Sequence, residues 1–397
     1  MRRPISVAAA LIFAAACAGS DTLTPGVERT TRGDTIVVRT TGDGVWGPLH
    51  DVVEVLRVAE DSPETTIGRV SMPVATPDGG VVFLDSQGPN GPIVRRFDSN
   101  GKFVNSLGRE GSGPGEYSQR GQTTLAVDSS GTVIIRDGGR ALSRYTADGV
   151  LASSFPLNLG RTALHVYGAN DGSVLIYGAL PGARAPAGSM PPMLRYSPEG
   201  ALLDTVTSDA PWQLPPPANM YAPITAWIPL PDGRHLHMRT DMLGFLIIDP
   251  ARRVPPLLAE AVLPDVLYLD EEREELQAIA DRQRARQEGT TPAALPRAKL
   301  PSKYPVVDPA GRIWIARPAT AIKVPPRVGF FAGPNSLSVS YAEPSVFAAF
   351  EPDGTFLGEV RFPVGVIPAF TGNSAWAVVE DADGIPRLVK YRVAPDA

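Results

Sequence analysis

LGREGSGPGEYSQRGQTTLAVDSSGTVIIRDGGRALSRYTADGVL, residues 107–151, decides how the rest of the chain is read. A glycine-rich entry (Gly111, Gly113, Pro114, Gly115, then Glu116 and Tyr117) leads to the apolar run Leu125, Ala126 and Val127 and into a tight Asp128-Ser129-Ser130-Gly131 turn. The β-branched run Val133-Ile134-Ile135 follows, then a short loop at 137–139, a further run over 141–145, and a second tight turn at Ala147-Asp148-Gly149. Gly, Asp and Ser supply the unusual backbone angles and side-chain bonds of tight turns. Apolar runs cut by such turns every eight to twelve residues or so predict short antiparallel strands.

Outward from this unit, two marks recur along the chain. One is a tight polar turn after a short apolar run, at Pro77-Asp78-Gly79, Ser129-Ser130-Gly131, Asn170-Asp171-Gly172, Pro231-Asp232-Gly233, Pro309-Ala310-Gly311 and Thr371-Gly372-Asn373. The other is an apolar or aromatic residue just before a further turn: Phe97, Tyr145, Tyr196, Ile248, Phe350 and Tyr391. The two series interleave strictly, giving an internal repeat of about sixty residues. Each repeat reads as a four-stranded sheet that would leave both faces wet alone, so the units must stack radially. The expected fold is all-β, a six-bladed β-propeller.

The 107–151 stretch also resembles the NHL-repeat family of β-propellers. Residues 113–117 match that family's GPGEF/GPGQF-like entry, 127–131 its apolar-Asp-x-x-Gly turn and 134–137 its apolar-Asp strand end. The resemblance implies the fold and leaves activity open, since propellers carry binding modules and enzymes alike.

The sixth repeat stops at Tyr391-Arg392-Val393 with no room for an outer strand. VVEVLRV, 52–58, alternates as a strand does and lies just before the first inner strand. It is expected to pair with the last blade near 387–393 and close the ring, with 35–39 as an edge strand or hairpin partner. One helix interrupts the pattern, at about 270–287 within an insertion of about 269–288. Asp270 is its N-cap, Glu271 and Glu272 face the positive end of the dipole, and Arg282, Arg284 and Arg286 the negative end. Its apolar stripe is thin (Leu276, Ile279, Ala280), which predicts a helix lying on the propeller surface.

Residues 1–16 read as a signal peptide, with Arg2 and Arg3 before a short apolar run that is too short to span a bilayer. The run ends Ala14-Ala15-Ala16-Cys17, which resembles a bacterial lipobox with Ala14 where Leu is usual, and Cys17 is the only cysteine. The resemblance implies lipidation at Cys17, with 17–33 as anchor and tether and 34–397 as the propeller. Ala-x-Ala also suits ordinary signal peptidase, which would make the protein secreted. Either route points to the cell envelope, with the domain facing the periplasm or the exterior. The 397 residues are 43% apolar with a net charge of -5, enough for a large core and adverse to a nucleic-acid phosphate backbone as partner.

In a propeller the loops joining outer strand to next inner strand, and second strand to third, share one face. The long insertions (179–192, 208–223, the helix, 318–345) all fall in that class, so function is expected on this long-loop face. Six residues past each inner turn, the rim of that face is reached at Asp85, Asp137, Gly178, Arg239, Arg317 and Val379. An Asp at a strand end can cap its own loop; Arg239 and Arg317 show no such local role and are the expected charged contacts. Aromatics on the insertions, Trp212, Tyr221, Phe330, Phe331 and Tyr341, either stack on a ligand or pin their own loops. His235 and His237 share a strand face as metal ligands can, yet no third ligand is near in sequence. No nucleophile elbow, HExxH, P-loop or CxxC occurs. The expectation is a monomeric, non-catalytic binding module without cofactor or metal, taking an envelope protein or polysaccharide. The alternative is a metal-dependent hydrolase or lyase of the gluconolactonase-like propeller group.

Overall fold

The computed structural model describes residues 26–88, 92–117, 123–138, 140–157, 159, 165–177, 192–208, 214, 222–284, 294–328 and 338–395. Six antiparallel sheets follow one another along the chain, each beginning with an inner strand: Val70–Ala75, Thr123–Val127, Val166–Gly168, Thr225–Pro229, Pro305–Val307 and Ala369–Thr371. Each inner strand turns tightly into the second. In five of these turns the glycine N–H donates to a carbonyl three residues back, and Gly79, Gly131, Gly172, Gly233 and Gly311 hold φ between 78° and 87°. That left-handed backbone is why glycine ends the turn.

Six apolar clusters, one per blade boundary, bury the faces that a lone blade would leave wet. Val82, Leu84 and Val94 of blade 1 pack on Leu125, Val133 and Ile135 of blade 2, and the pattern continues round to blades 5 and 6. The sixth cluster joins Trp376 and Leu388 of the last blade to Val81, Phe83 and Phe97 of the first. There the Trp376 Nε1–H donates to the Gly79 carbonyl at 3.0 Å, and Lys390 Nζ to the Ser99 carbonyl at 2.9 Å. The array is therefore a closed six-bladed propeller.

The GPGEY entry is a latch between blades 1 and 2. Tyr117 is buried there; its hydroxyl accepts from the Val94 N–H at 2.8 Å and donates to the Leu107 carbonyl at 3.1 Å. The Tyr145 hydroxyl donates to the Gly115 carbonyl at 2.5 Å, and Glu116 accepts from the Gly113 N–H at 2.7 Å. Burial pushes both Tyr117 and Tyr145 up from the ordinary tyrosine range.

The N-terminal segment runs round the outside of the last three blades in four strands. β1 (Val27–Arg32) and β2 (Thr35–Thr41) form a hairpin, and β2 adds in parallel to the outer strand of blade 4, Leu257–Val262. β3 (His50–Asp51) adds to the outer strand of blade 5, Phe356–Val364. β4 (Val53–Arg57) is the missing outer strand of blade 6: Val53 pairs with Arg392, Leu56 with Lys390 and Arg57 with Val389. The expected closure thus holds, and the 35–39 strand is both edge strand and hairpin partner. Of the residues expected as a tether, 17–33, the structure places 27–32 in a strand, and 17–25 lie outside the described residues. The side chains of that strand are polar and exposed beyond Val27, so the sequence carries no apolar alternation there, and backbone pairing to β2 holds it instead.

Candidate functional site

The connection between blades 4 and 5 carries the helix α1 (Asp270–Arg284), on the surface as expected. Its partner is a feature that the sequence did not reveal. The long insertion between the second and third strands of blade 5 contains a hairpin, Ile322–Val328 with Ser338–Ala342, and α1 stands on it. Glu275 Oε1 accepts from the Ser340 N–H at 2.6 Å, and the Tyr341 hydroxyl donates to Glu271. That bond, ahead of burial, pushes the Tyr341 hydroxyl up to about 12. Tyr341 therefore pins its own insertion, the second of the two roles open to it.

Beneath this platform lies a buried charge cluster. Lys299 Nζ, with its side chain only 2% exposed, donates to Glu272 Oε1 at 2.7 Å, to Glu343 Oε1 at 2.8 Å and to the Ala319 carbonyl at 3.0 Å, and sits 4.9 Å from the Tyr268 ring centre. Lys303 Nζ reaches the other Glu343 oxygen at 2.6 Å. Burial works to raise the Glu343 carboxyl, but the bonds from Lys299 and Lys303 outweigh it and hold the carboxyl below its ordinary range. Glu272, expected only to face the helix dipole, also accepts from the Leu269 N–H at 3.1 Å and so caps the first turn of α1. A buried cation with every proton directed at an acceptor is a structural fixture.

Arg317 and Arg239 have the local partners that the sequence did not reveal. Arg317, 6% exposed, donates to Glu359 Oε1 at 2.6 Å and to the Pro301 carbonyl at 3.3 Å. It thereby staples the blade 4–5 connection to blade 5. Arg239 forms a two-bond pair with Asp241 at 2.6 and 3.0 Å and keeps a third of its side chain exposed. The two arginines do flank one junction: Ser302 Oγ donates to the Arg239 carbonyl, and Pro301 accepts from Arg317. Neither guanidinium is free of an internal carboxylate.

Asp85 acts as a cap, and Asp137 anchors a nearby arginine. Asp85 is fully buried, accepts from the Gly68 and Gln87 N–H groups and pairs with Arg95 at 3.3 Å. Arg95 in turn binds the carbonyls of Pro63, Glu64 and Thr66, clamping the loop that enters blade 1. Asp137 holds Arg140, whose guanidinium reaches the Ser112 and Glu116 carbonyls of the GPGEY segment. Trp212, Tyr221, Phe330 and Phe331 lie outside the described residues. His235 and His237 are buried against Trp227, with ring centres 4.9 and 6.1 Å away, and His237 Nδ1 lies 3.3 Å from Ser208 Oγ. Among the described residues no group of three or more His, Cys, Asp or Glu is placed to hold a metal ion.

Two of the concave regions among the described residues bear on function. An axial cavity of about 570 Å³ opens on the tight-turn face, walled by Pro77, Pro231, Pro309 and Phe370. Its acids are held by the turns: Asp128 accepts from Ser130 and Thr132, Asp232 from Arg234, and Asp308 from Ala310, Arg312, the Trp314 indole and Gly372 of the blade 6 turn. A groove of about 720 Å³ lies on the long-loop face beside the start of α1. Leu49, Leu267 and Leu269 line it at 40%, 46% and 39% exposure, and Arg297 stands at its edge. Three large apolar side chains left in water around one concavity, next to a rigid platform, are what a docking surface presents. Arg317, one of the charged contacts expected from sequence, is among the residues lining this groove, whereas the exposed leucines on its loops were not anticipated.

No protein-family model matches the chain, and no curated protein matches it. Among solved structures, a member of the DUF4221 family from Bacteroides vulgatus aligns over 86% of this chain and 97% of its own, with 10% identity and a TM-score of 0.50. A protein assigned as exported from Bacteroides fragilis aligns over 90% and 100%, with 10% identity and a TM-score of 0.49. Virginiamycin B lyase from Staphylococcus aureus aligns over 86% and 99% at 11% identity, but its TM-score of 0.39 carries no argument. At such identity the DUF4221 likeness shows the fold alone.

Proposed function

We propose that this chain is an exported propeller, lipid-anchored through Cys17, that binds an envelope protein or glycan on its long-loop face without catalysing a reaction there. The observation that carries the reading is the groove beside α1. Leu49, Leu267 and Leu269 stay exposed on it, while the surrounding helix and hairpin are fixed from below by Lys299, Glu272 and Glu343. Rigid support with exposed apolar contacts lowers the ordering cost of binding. The charged groups at the rim support a binding role over a catalytic one, because Arg317, Arg239, Asp85 and Asp137 are committed to structural partners. A catalytic acid or base must instead be available to substrate.

The test is a pull-down from native envelope with wild type and with Leu267→Asp plus Leu269→Asp. Both side chains face solvent, so the double variant should melt as wild type does and lose the species that wild type retains. Retention of every wild-type species by a folded double variant would exclude the groove.

A further inference from the structure

We infer that the free edge of β1 pairs with β1 of a second copy of this chain, so that the protein self-associates through a two-fold antiparallel strand contact. β1 ends the six-stranded sheet of blade 4, with β2 on one side and no strand on the other among the described residues. Its side chains, VERTTR, are exposed beyond Val27. The Thr41 N–H donates to the Gly26 carbonyl at 2.9 Å, and further along the register Glu28 faces Arg39, Thr30 faces Val37 and Arg32 faces Thr35. Hydrogen-bonded and non-bonded pairs alternate along an antiparallel ladder. The even-numbered residues therefore bond to β2. The N–H and C=O groups of Val27, Arg29 and Thr31 point out of the free edge.

Charge on an edge strand ordinarily guards it against indiscriminate pairing. On β1 the guard is selective. Arg29 is held by Asp353 at 2.8 Å, whereas Glu28 and Arg32 have no ion-pair partner among the described residues. Outward bonds form only where odd-numbered residues meet odd-numbered residues, so a contact that engages most of the strand is centred on one of residues 28–32. Centring on Glu28, Arg29 or Arg32 sets two like charges directly opposite each other, which is unfavourable, and centring on Thr31 sets Glu28 against Asp34. Centring on Thr30 bonds Arg29 to Thr31 of the second copy and sets Glu28 against Arg32, twice over because the axis is two-fold. Those charged positions are the non-bonded pairs, where opposing side chains lie closest. The contact joins the two blade 4 sheets into one and reverses the strand direction across the axis. The long-loop faces of the two copies thus look opposite ways, and both grooves stay open. An edge contact of this size supports a weak, concentration-dependent dimer rather than an obligate one.

Sedimentation equilibrium on the purified protein, from about 1 to 300 µM at low salt, tests the contact by charge swap. Wild type should pass reversibly from monomer to dimer. Glu28→Arg alone and Arg32→Glu alone each set like charges opposite each other and should weaken the dimer about ten-fold or more. A mixture of the two single variants restores both opposite-charge pairs and should dimerise again, as should the double variant by itself. These side chains are exposed, so every variant should melt as wild type does. A wild type that stays monomeric across the range, a dimer indifferent to either single reversal, or a mixture no more associated than its components would each overturn the inference.

Discussion

Lys299 Nζ lies 2.7 Å from Glu272 Oε1 with both side chains at 5% exposure or less, and this pair seats α1 on the blade 4–5 connection. Removing one partner of a buried pair leaves the other charge uncompensated, at a cost of about 3–5 kcal/mol. Lys299→Met should therefore lower unfolding free energy by about 3 kcal/mol or more in denaturant melts. A loss below about 1 kcal/mol would mean that the platform is not held in this way.

The same cluster sets an acid limit. Glu343 is held below its ordinary value of 4.5, so the folded state binds its proton less readily than the unfolded chain does. Its contribution is thus fully present above about pH 4.5 and is lost as pH falls through the lower folded value. Melts from pH 7 to 3 should show wild type losing stability below about pH 4.5 more steeply than Glu343→Gln does. Parallel curves would contradict the assignment.

Ring closure makes a separate claim. Truncation before Ala59, which removes β4, exposes the edge of blade 6 along Val389 to Arg392 and uncovers Trp376 and Leu388. An unpaired edge beside apolar surface favours aggregation. Truncation before Asp43 removes only the hairpin on the outer edge of blade 4 and should leave a soluble, less stable ring. Light scattering on heating separates the two; equal behaviour would refute the role given to β4.

Tyr117→Phe keeps the ring and removes the hydroxyl. The buried Val94 N–H and Leu107 carbonyl then lose their partner, at a cost of about 1–3 kcal/mol. A neutral substitution by denaturant melt would show that the GPGEY latch does not depend on that hydroxyl.

The fold was legible because its causes are local. Gly79, Gly131, Gly172, Gly233 and Gly311 each answer to the backbone of one turn, and the alternation of 52–58 fits one sheet edge. β1 was missed because VERTTR buries almost nothing, and β3 because two residues carry no pattern. The site was less legible because its bonds join distant segments. Arg317 meets Glu359 forty-two residues on, and Lys299 joins positions 272 and 343. From sequence an unpaired rim arginine and a stapled one look alike. Asp85 was readable as a cap, since an Asp at a strand end finds N–H donors in its own loop, whereas Asp137 pairs with the Arg140 side chain.

The central claim is that binding occurs on the long-loop face, and site-specific photo-crosslinking in the native envelope tests it most directly. A photoreactive amino acid at Thr320, on the groove, should yield a discrete adduct of higher mass, and one at Ser129, on the tight-turn face, should yield none. Adducts from Ser129 alone, or equal adducts from both positions, would contradict the account.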